Sequence, residues 1–235
     1  MTIKEEILRH SYKNGLTHIM SAMSHANYIE ELFTRKLVVP YRDKIVIGKV
    51  FGAQAYYLVW KKLGYLDDYP GTCLPFVTHE EIPFVDFAEY TLGNGLGVAA
   101  GIALTTNKLV WVNLSDAVLQ MGNTLEAIQF IGHQGLKNML VTIDMNGAQV
   151  TGQTEEICPC EPVVDFFKGY NWDVQYDLAN FEIGDRPKIF IMRSKKGEGV
   201  KSIEDDLRTW HYGKIQSYEQ LETFVSELRA WESSQ

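Results

Sequence analysis

The sequence predicts an α/β fold, a parallel sheet flanked by helices. Three segments carry that expectation: LVWVNL at 109–114, MLVTID at 139–144 and KIFIMR at 188–193. Each is strand-length and nearly continuous in apolar residues, as strands covered on both faces are, and helical patterns separate them.

Taken in order, the first forty residues read as helix. Ile7, Leu8 and Leu16 lie to one side, and Tyr28, Ile29, Leu32 and Phe33 recur at helical spacing. A second helix is expected from about Gly52 to Leu63, ending at Gly64. Residues 67–83, rich in Asp, Pro, Gly and Thr, form a long loop of the kind often used for function. Gly93, Gly95, Gly97 and Gly101 open a helix reaching Thr105. Between the strands, helices are expected at 122–133 and 161–169. A last helix starts at a capping box of Ser217 and Gln220, with Leu221, Phe224, Val225 and Leu228 as its apolar stripe. There are no repeats, and a single domain spanning 1–235 is the reading.

Composition excludes several function classes. A formal charge of −8 with no basic cluster argues against a nucleic-acid surface. No apolar run approaches a membrane span, and charges interrupt the first ten residues where a signal peptide would be apolar, so a cytoplasmic protein is expected. Cys158 and Cys160 stand as C-P-C, without the spacing or partner ligands of a zinc site, and the three cysteines read as ordinary thiols.

Chemistry concentrates after the first two of those strands. Asp116 lies just beyond 109–114 and Asn146 just beyond 139–144, so both can meet at one edge of a parallel sheet, where such folds bind ligands. A carboxylate, an amide oxygen and a nearby carbonyl suit Mg²⁺ carrying phosphates. Singly, each has a plainer explanation: Asp after a strand often caps a helix, and Asn-Gly often makes a turn. His10, His18 and His133 have no motif around them and read as surface, core or helix-end residues, and Glu80-Glu81 as a solvated loop face.

The order of motifs goes further. SAMSHA at 21–26, TLGNGLGVAAGIA at 91–103, SDAVLQMG at 115–122, DMNGAQVTG at 144–152, and KKGEGV at 195–200 followed by WHYG at 210–213 resemble, in sequence, the amino-terminal half of transketolases. That family includes split forms in which this half is a separate subunit. The resemblance implies the diphosphate-binding fold of thiamine-diphosphate enzymes, with thiamine diphosphate and Mg²⁺ as cofactors. It implies that Asp116, Asn146 and the carbonyl of Ala148 hold the cation, and that Leu92, Gly93, Ala117 and His211 contact the cofactor. His25, His79 and His211 take the places of histidines lining the diphosphate and substrate channel, as catalytic candidates. The Glu needed beside the aminopyrimidine lies on a pyrimidine-binding domain, so a carboxyl-terminal transketolase-like subunit is implied as partner, in a complex of two copies of each. The substrate would be a small sugar or 2-oxo acid, a two-carbon ketol or related acyl unit passing to an aldehyde.

Three positions depart from the family pattern: Val50-Phe51 replaces a Gly-His pair, Ser115 and Ala117 replace the glycines flanking Asp116, and Met121 replaces a Glu. These departures keep two other outcomes open, a decarboxylase or carboligase subunit of a specialised pathway and a non-catalytic scaffold partner.

Overall fold

The computed structural model describes residues 1–49, 51–69, 71–74, 82–179 and 181–235. Among them, β1 (Lys44–Ile47), β2 (Phe87–Ala88), β3 (Val110–Ser115), β4 (Met139–Met145), β5 (Asp173–Gln175) and β6 (Lys188–Arg193) form one sheet in the order β2-β1-β3-β4-β6-β5. Every pairing is parallel. The expected parallel sheet flanked by helices is therefore present. The helices are α1 (Ile3–Asn14), α2 (Ile19–Thr34), α3 (Gln54–Lys62), α4 (Gly95–Leu104), α5 (Gly122–Gln134), α6 (Thr154–Ile157), α7 (Glu161–Gly169), α8 (Lys201–Glu204), α9 (Leu207–Tyr212) and α10 (Tyr218–Glu232). A short 3-10 helix spans Asp116–Gln120.

The continuous apolar strands resolve into two faces of period two. Ile45, Ile47, Trp111, Leu140 and Phe190 join a core with Ile7, Ile29, Trp60 and Phe224 of α1, α2, α3 and α10. Their alternates Val46, Val112, Val141, Ile143 and Ile189 join a second core with Ala99, Ile128 and Phe167 of α4, α5 and α7. The polar groups inside the central strands pair with one another: buried Asn113 accepts from Tyr28 at 2.8 Å and Thr142 at 2.7 Å, and Thr142 accepts from Trp111 at 3.0 Å.

The structure corrects some boundaries. The first forty residues form two helices, because Gly15 adopts a left-handed φ of 60° and its N–H closes α1 on the carbonyls of Ser11 and Tyr12. The final helix is capped as expected by Ser217, which accepts from the N–H of Gln220, but the Gln220 side chain reaches the N–H of Gln216. Strands β1, β2 and β5 were not expected; at four, two and three residues they are too short to show a period.

Tight packing of α5 against the turn after α7 depends on Gly132, where an added Cβ would fall 1.9 Å from the Tyr170 carbonyl oxygen. Gly132→Ala should lower unfolding free energy by about 1–3 kcal/mol through overpacking. An unchanged urea midpoint would show that this contact is not tight.

Candidate active site at the carboxyl edge of the sheet

Strand order reverses its direction of growth between β1 and β3, since β2 is added on one side of β1 and β3 on the other. Side chains after the carboxyl ends of these strands therefore border a crevice, the usual ligand position in open parallel sheets. A cavity of about 210 Å³ opens there, lined by Lys49 after β1, Asp116 after β3, Asn146 and Ala148 after β4, Lys196 after β6, and His211 of α9.

Asp116 is held by its neighbours. One carboxylate oxygen accepts from the Gly147 N–H at 3.0 Å and the Thr154 hydroxyl at 3.1 Å, the other from the Ala117 N–H at 2.9 Å. Burial raises its pKa, and the nearby charge of Asp144 adds to the rise. The Cys160 thiol donates to the Asp116 carbonyl at 3.3 Å, and burial pushes this thiol up to about 11. Cys160 is thus a packed thiol supporting the loop, and no metal-binding group of His, Cys, Asp and Glu occurs among the described residues.

Beyond β4 the chain makes a small hairpin: Ala148 bridges Gln153, and the Gln149 N–H donates to Gly152 at 2.9 Å. Asn146 donates its amide to Asp144 at 2.8 Å and accepts from the Ala148 N–H at 3.1 Å. The Ala148 carbonyl accepts from the Lys196 ammonium at 3.0 Å. Burial lowers the Lys196 pKa to about 8, with the positive Lys49 as the next cause.

Lys49 is fully buried and donates to Asp144 at 2.6 Å, to the Ser21 carbonyl at 2.6 Å, and to Nδ1 of His25. The His25 Nε2–H donates to the Gly52 carbonyl at 3.0 Å, so both ring nitrogens are engaged. Its pKa is driven well down by burial and then by Lys49. His25 therefore stands behind the cavity and orients Lys49 instead of facing a ligand. His211 does line the cavity; burial and Lys196 lower its pKa to about 4, and its buried Nε2 has no partner among the described residues. His79 lies outside the described residues.

Leu92 and Ala117 line the cavity, as does Met121. Gly93 sits just behind, with a φ of 111° and space for no side chain, since a Cβ would meet that of Met121 at 2.9 Å. The buried Glu89 fixes this turn by accepting from the N–H groups of Asn94 at 2.8 Å and Gly95 at 2.6 Å, at the start of α4. Phe51 lies at the cavity wall, stacked on His18 at 4.0 Å between centroids. Sequence reading missed Lys49 and Lys196 as site residues, and His18 as the ring stacked on Phe51. The signal for Lys196 was present in the KKGEGV motif, whereas nothing local marks Lys49 or His18.

The donor set fits a hard divalent cation carrying phosphates. Three oxygen-bearing groups (the Asp116 carboxylate, the Asn146 amide and the Ala148 carbonyl) border one cavity with two ammonium groups. The Ala148 carbonyl has a second lone pair beside the one Lys196 uses.

Comparison with known proteins places the sequence and the fold in a class. Residues 79–189 match the family described as transketolase, thiamine diphosphate binding domain. The fold over 97% of the chain superimposes on a transketolase from Campylobacter jejuni with a TM-score of 0.68 at 15% identity, covering 43% of that longer chain. The protein is thus a thiamine-diphosphate-type α/β fold. Among sequence relatives, the 6-deoxy-6-sulfo-D-fructose transketolase subunit SqwG of a Clostridium species is 26% identical, with 96% of this chain and 93% of the relative aligned. One of the subunits of the apulose-4-phosphate transketolase of Phocaeicola vulgatus is 25% identical over 92% of this chain and 88% of its own. In sequence and fold the chain is thus similar to transketolases, as a transketolase-like transferase subunit corresponding to the amino-terminal part of the longer enzymes.

The Lys196 ammonium gives the cavity a pH signature. Its form in the free chain is charged below about 8 and neutral above. Affinity for inorganic pyrophosphate with Mg²⁺ should be level below that pH and fall above it, by up to about tenfold per unit while the bound lysine stays protonated. Calorimetry from pH 6.5 to 9.5 measures this. A Lys196→Met chain that declines as steeply as wild type would assign the effect elsewhere.

Proposed function

We propose that the switch-point cavity binds thiamine diphosphate through Mg²⁺, and that the chain, with a second subunit, transfers a two-carbon ketol or related acyl unit to an aldehyde. The observation that carries this reading is the meeting of Asp116, Asn146, Ala148, Lys49 and Lys196 around one cavity. Asp116, Asn146 and the Ala148 carbonyl hold the cation, which neutralises most of the diphosphate charge. Bound thiamine diphosphate supplies the electron sink for carbon–carbon cleavage and formation.

This chain's own residues bind and orient. Lys196 and Lys49 place positive charge along the cavity, with Lys49 held by Asp144 and His25. Leu92 and Met121 give it an apolar wall. His211, whose Nε2 has no partner among the described residues, offers that N–H for a hydrogen bond to phosphate or substrate. Relatives named as transketolase subunits support a split arrangement, in which a partner supplies the pyrimidine-binding domain and its Glu. The assembly is a cytoplasmic heterotetramer acting on a small sugar or 2-oxo acid. No helix among the described residues is long and apolar enough to cross a membrane.

Asp116→Ala tests the reading. Thiamine diphosphate should bind wild type in the presence of Mg²⁺ and bind the variant at least about a hundredfold more weakly. Two-carbon transfer by the mixture with its partner subunit should vanish, while the far-ultraviolet circular dichroism stays as in wild type. Equal affinity in the two chains would refute the assignment of the cation site.

A further inference from the structure

The segment 194–200, between β6 and α8, carries Lys196 into the cofactor cavity and is held from behind by two helices that do not line it. Lys4 of α1 is 1% exposed. Its ammonium donates to the Glu198 carboxylate at 2.8 Å and to the Glu198 carbonyl at 3.2 Å, and it lies 4.4 Å from the centroid of the Trp231 ring on α10. We propose that Lys4 is a positioning residue for Lys196: by pinning Glu198, it fixes where the Lys196 ammonium stands beside the bound diphosphate. The proposal rests on reading the cavity as the cofactor site, and it makes α1 and α10 part of that site's support.

Three observations converge. First, Lys196 is not placed by a charged partner. Among the described residues it forms no ion pair; its ammonium is held by the Ala148 carbonyl at 3.0 Å and faces Nδ1 of His211 at 3.4 Å. A long flexible side chain with so few contacts at its tip depends on its backbone for its position. Second, that backbone is gripped on both sides. At the front, the Lys196 N–H donates to the Asn146 carbonyl at 3.2 Å. At the back, the chain flanking Glu198 is left-handed at Gly197 (φ 80°) and Gly199 (φ 100°). A Cβ at Gly197 would fall 2.8 Å from Ile203 Cγ2, and one at Gly199 2.7 Å from Leu228 Cδ1, so these turns sit hard against α8 and α10. Glu198, between them, is the residue that Lys4 holds.

Third, stability does not account for the burial of Lys4. An apolar residue in place of a buried charged one is often as stable or more so, and lysine is rarely buried so completely. What an apolar side chain there cannot do is bind the carboxylate and the carbonyl of one residue together, which sets both the side chain and the backbone of Glu198.

The test uses the full chain titrated calorimetrically with inorganic pyrophosphate and Mg²⁺. The Glu198 side chain is 28% exposed, so in Lys4→Met it can turn to water and is not stranded. Lys4→Met should bind pyrophosphate about tenfold more weakly than wild type, the loss typical when the support of a ligand-holding group is removed. Glu198→Gln, which still offers Lys4 an oxygen, should fall between the two. In a Lys196→Met background, Lys4→Met should cost no further affinity, because its effect passes through Lys196. Amide hydrogen exchange over 194–200 should be faster in Lys4→Met than in wild type. Gly132→Ala, which strains α5 across the sheet, should bind pyrophosphate as wild type does. Wild-type affinity in Lys4→Met, an equal loss in the Lys196→Met background, or unchanged exchange over 194–200 would overturn the proposal. So would the same loss of affinity in Gly132→Ala, since general destabilisation would then account for it. Failure of the cofactor reading is seen separately, in a wild-type chain that binds no pyrophosphate; the role assigned to Lys196 falls with it, whatever the exchange over 194–200.

Discussion

The ion pair between Lys49 and Asp144 organises the carboxyl edge of the sheet. Its atoms lie 2.6 Å apart, and the two side chains are 4% and 0% exposed. A buried charge must be paired and hydrogen-bonded, so this pair dictates the positions of everything that completes it. Asp144 at the end of β4 collects Ser24 of α2 at 2.6 Å, Lys49 after β1, Asn146 at 2.8 Å and Ser194 after β6 at 2.9 Å. Burial alone would raise its carboxyl pKa; the Lys49 charge and these hydrogen bonds outweigh that and hold it at about 2. Lys49 in turn fixes Ser21 and His25. One carboxylate thereby ties three strands and a helix into the rim of the candidate site.

This arrangement explains how an acidic chain can present a cavity for an anionic ligand. Asp144 is saturated by donors behind the cavity and does not line it, while Asp116 does. Lys49 and Lys196 stand on the cavity wall, and the positive Lys49 contributes to the lowered pKa of Lys196. A diphosphate with its cation would relieve that mutual repulsion. Phe51 and His18 form a flat aromatic stack at the same wall, and the His18 ring is held neutral, with burial lowering its pKa to about 4. The wall thus gains apolar surface where the family pattern places a histidine.

Much of this was legible in the sequence. The buried strands were visible because β3, β4 and β6 are six or seven residues long and mostly apolar. Asp116 and Asn146 could be paired because a parallel sheet puts the residues after adjacent strands side by side, and β3 and β4 are indeed neighbours with Ser115 opposite Asp144. The short edge strands carried no period. Lys49 was hidden for another reason: a lysine reads as surface, and only the buried Asp144, ninety-five positions away, gives it an interior role. His25 was expected at the ligand, but its neighbours occupy both nitrogens, which no linear motif can reveal.

A double-mutant cycle on Lys49→Met and Asp144→Leu tests the organising role of the pair most directly, read by urea unfolding and by pyrophosphate binding with Mg²⁺. Each single variant should lose about 3–5 kcal/mol of stability, because it strands the other charge in the interior. The double variant should recover most of that loss, yet bind pyrophosphate more weakly than wild type, since the apolar pair fills the space without holding Asn146 or lining the cavity with charge. Stability losses that simply add, or a double variant that binds pyrophosphate as wild type does, would contradict a central role for this ion pair.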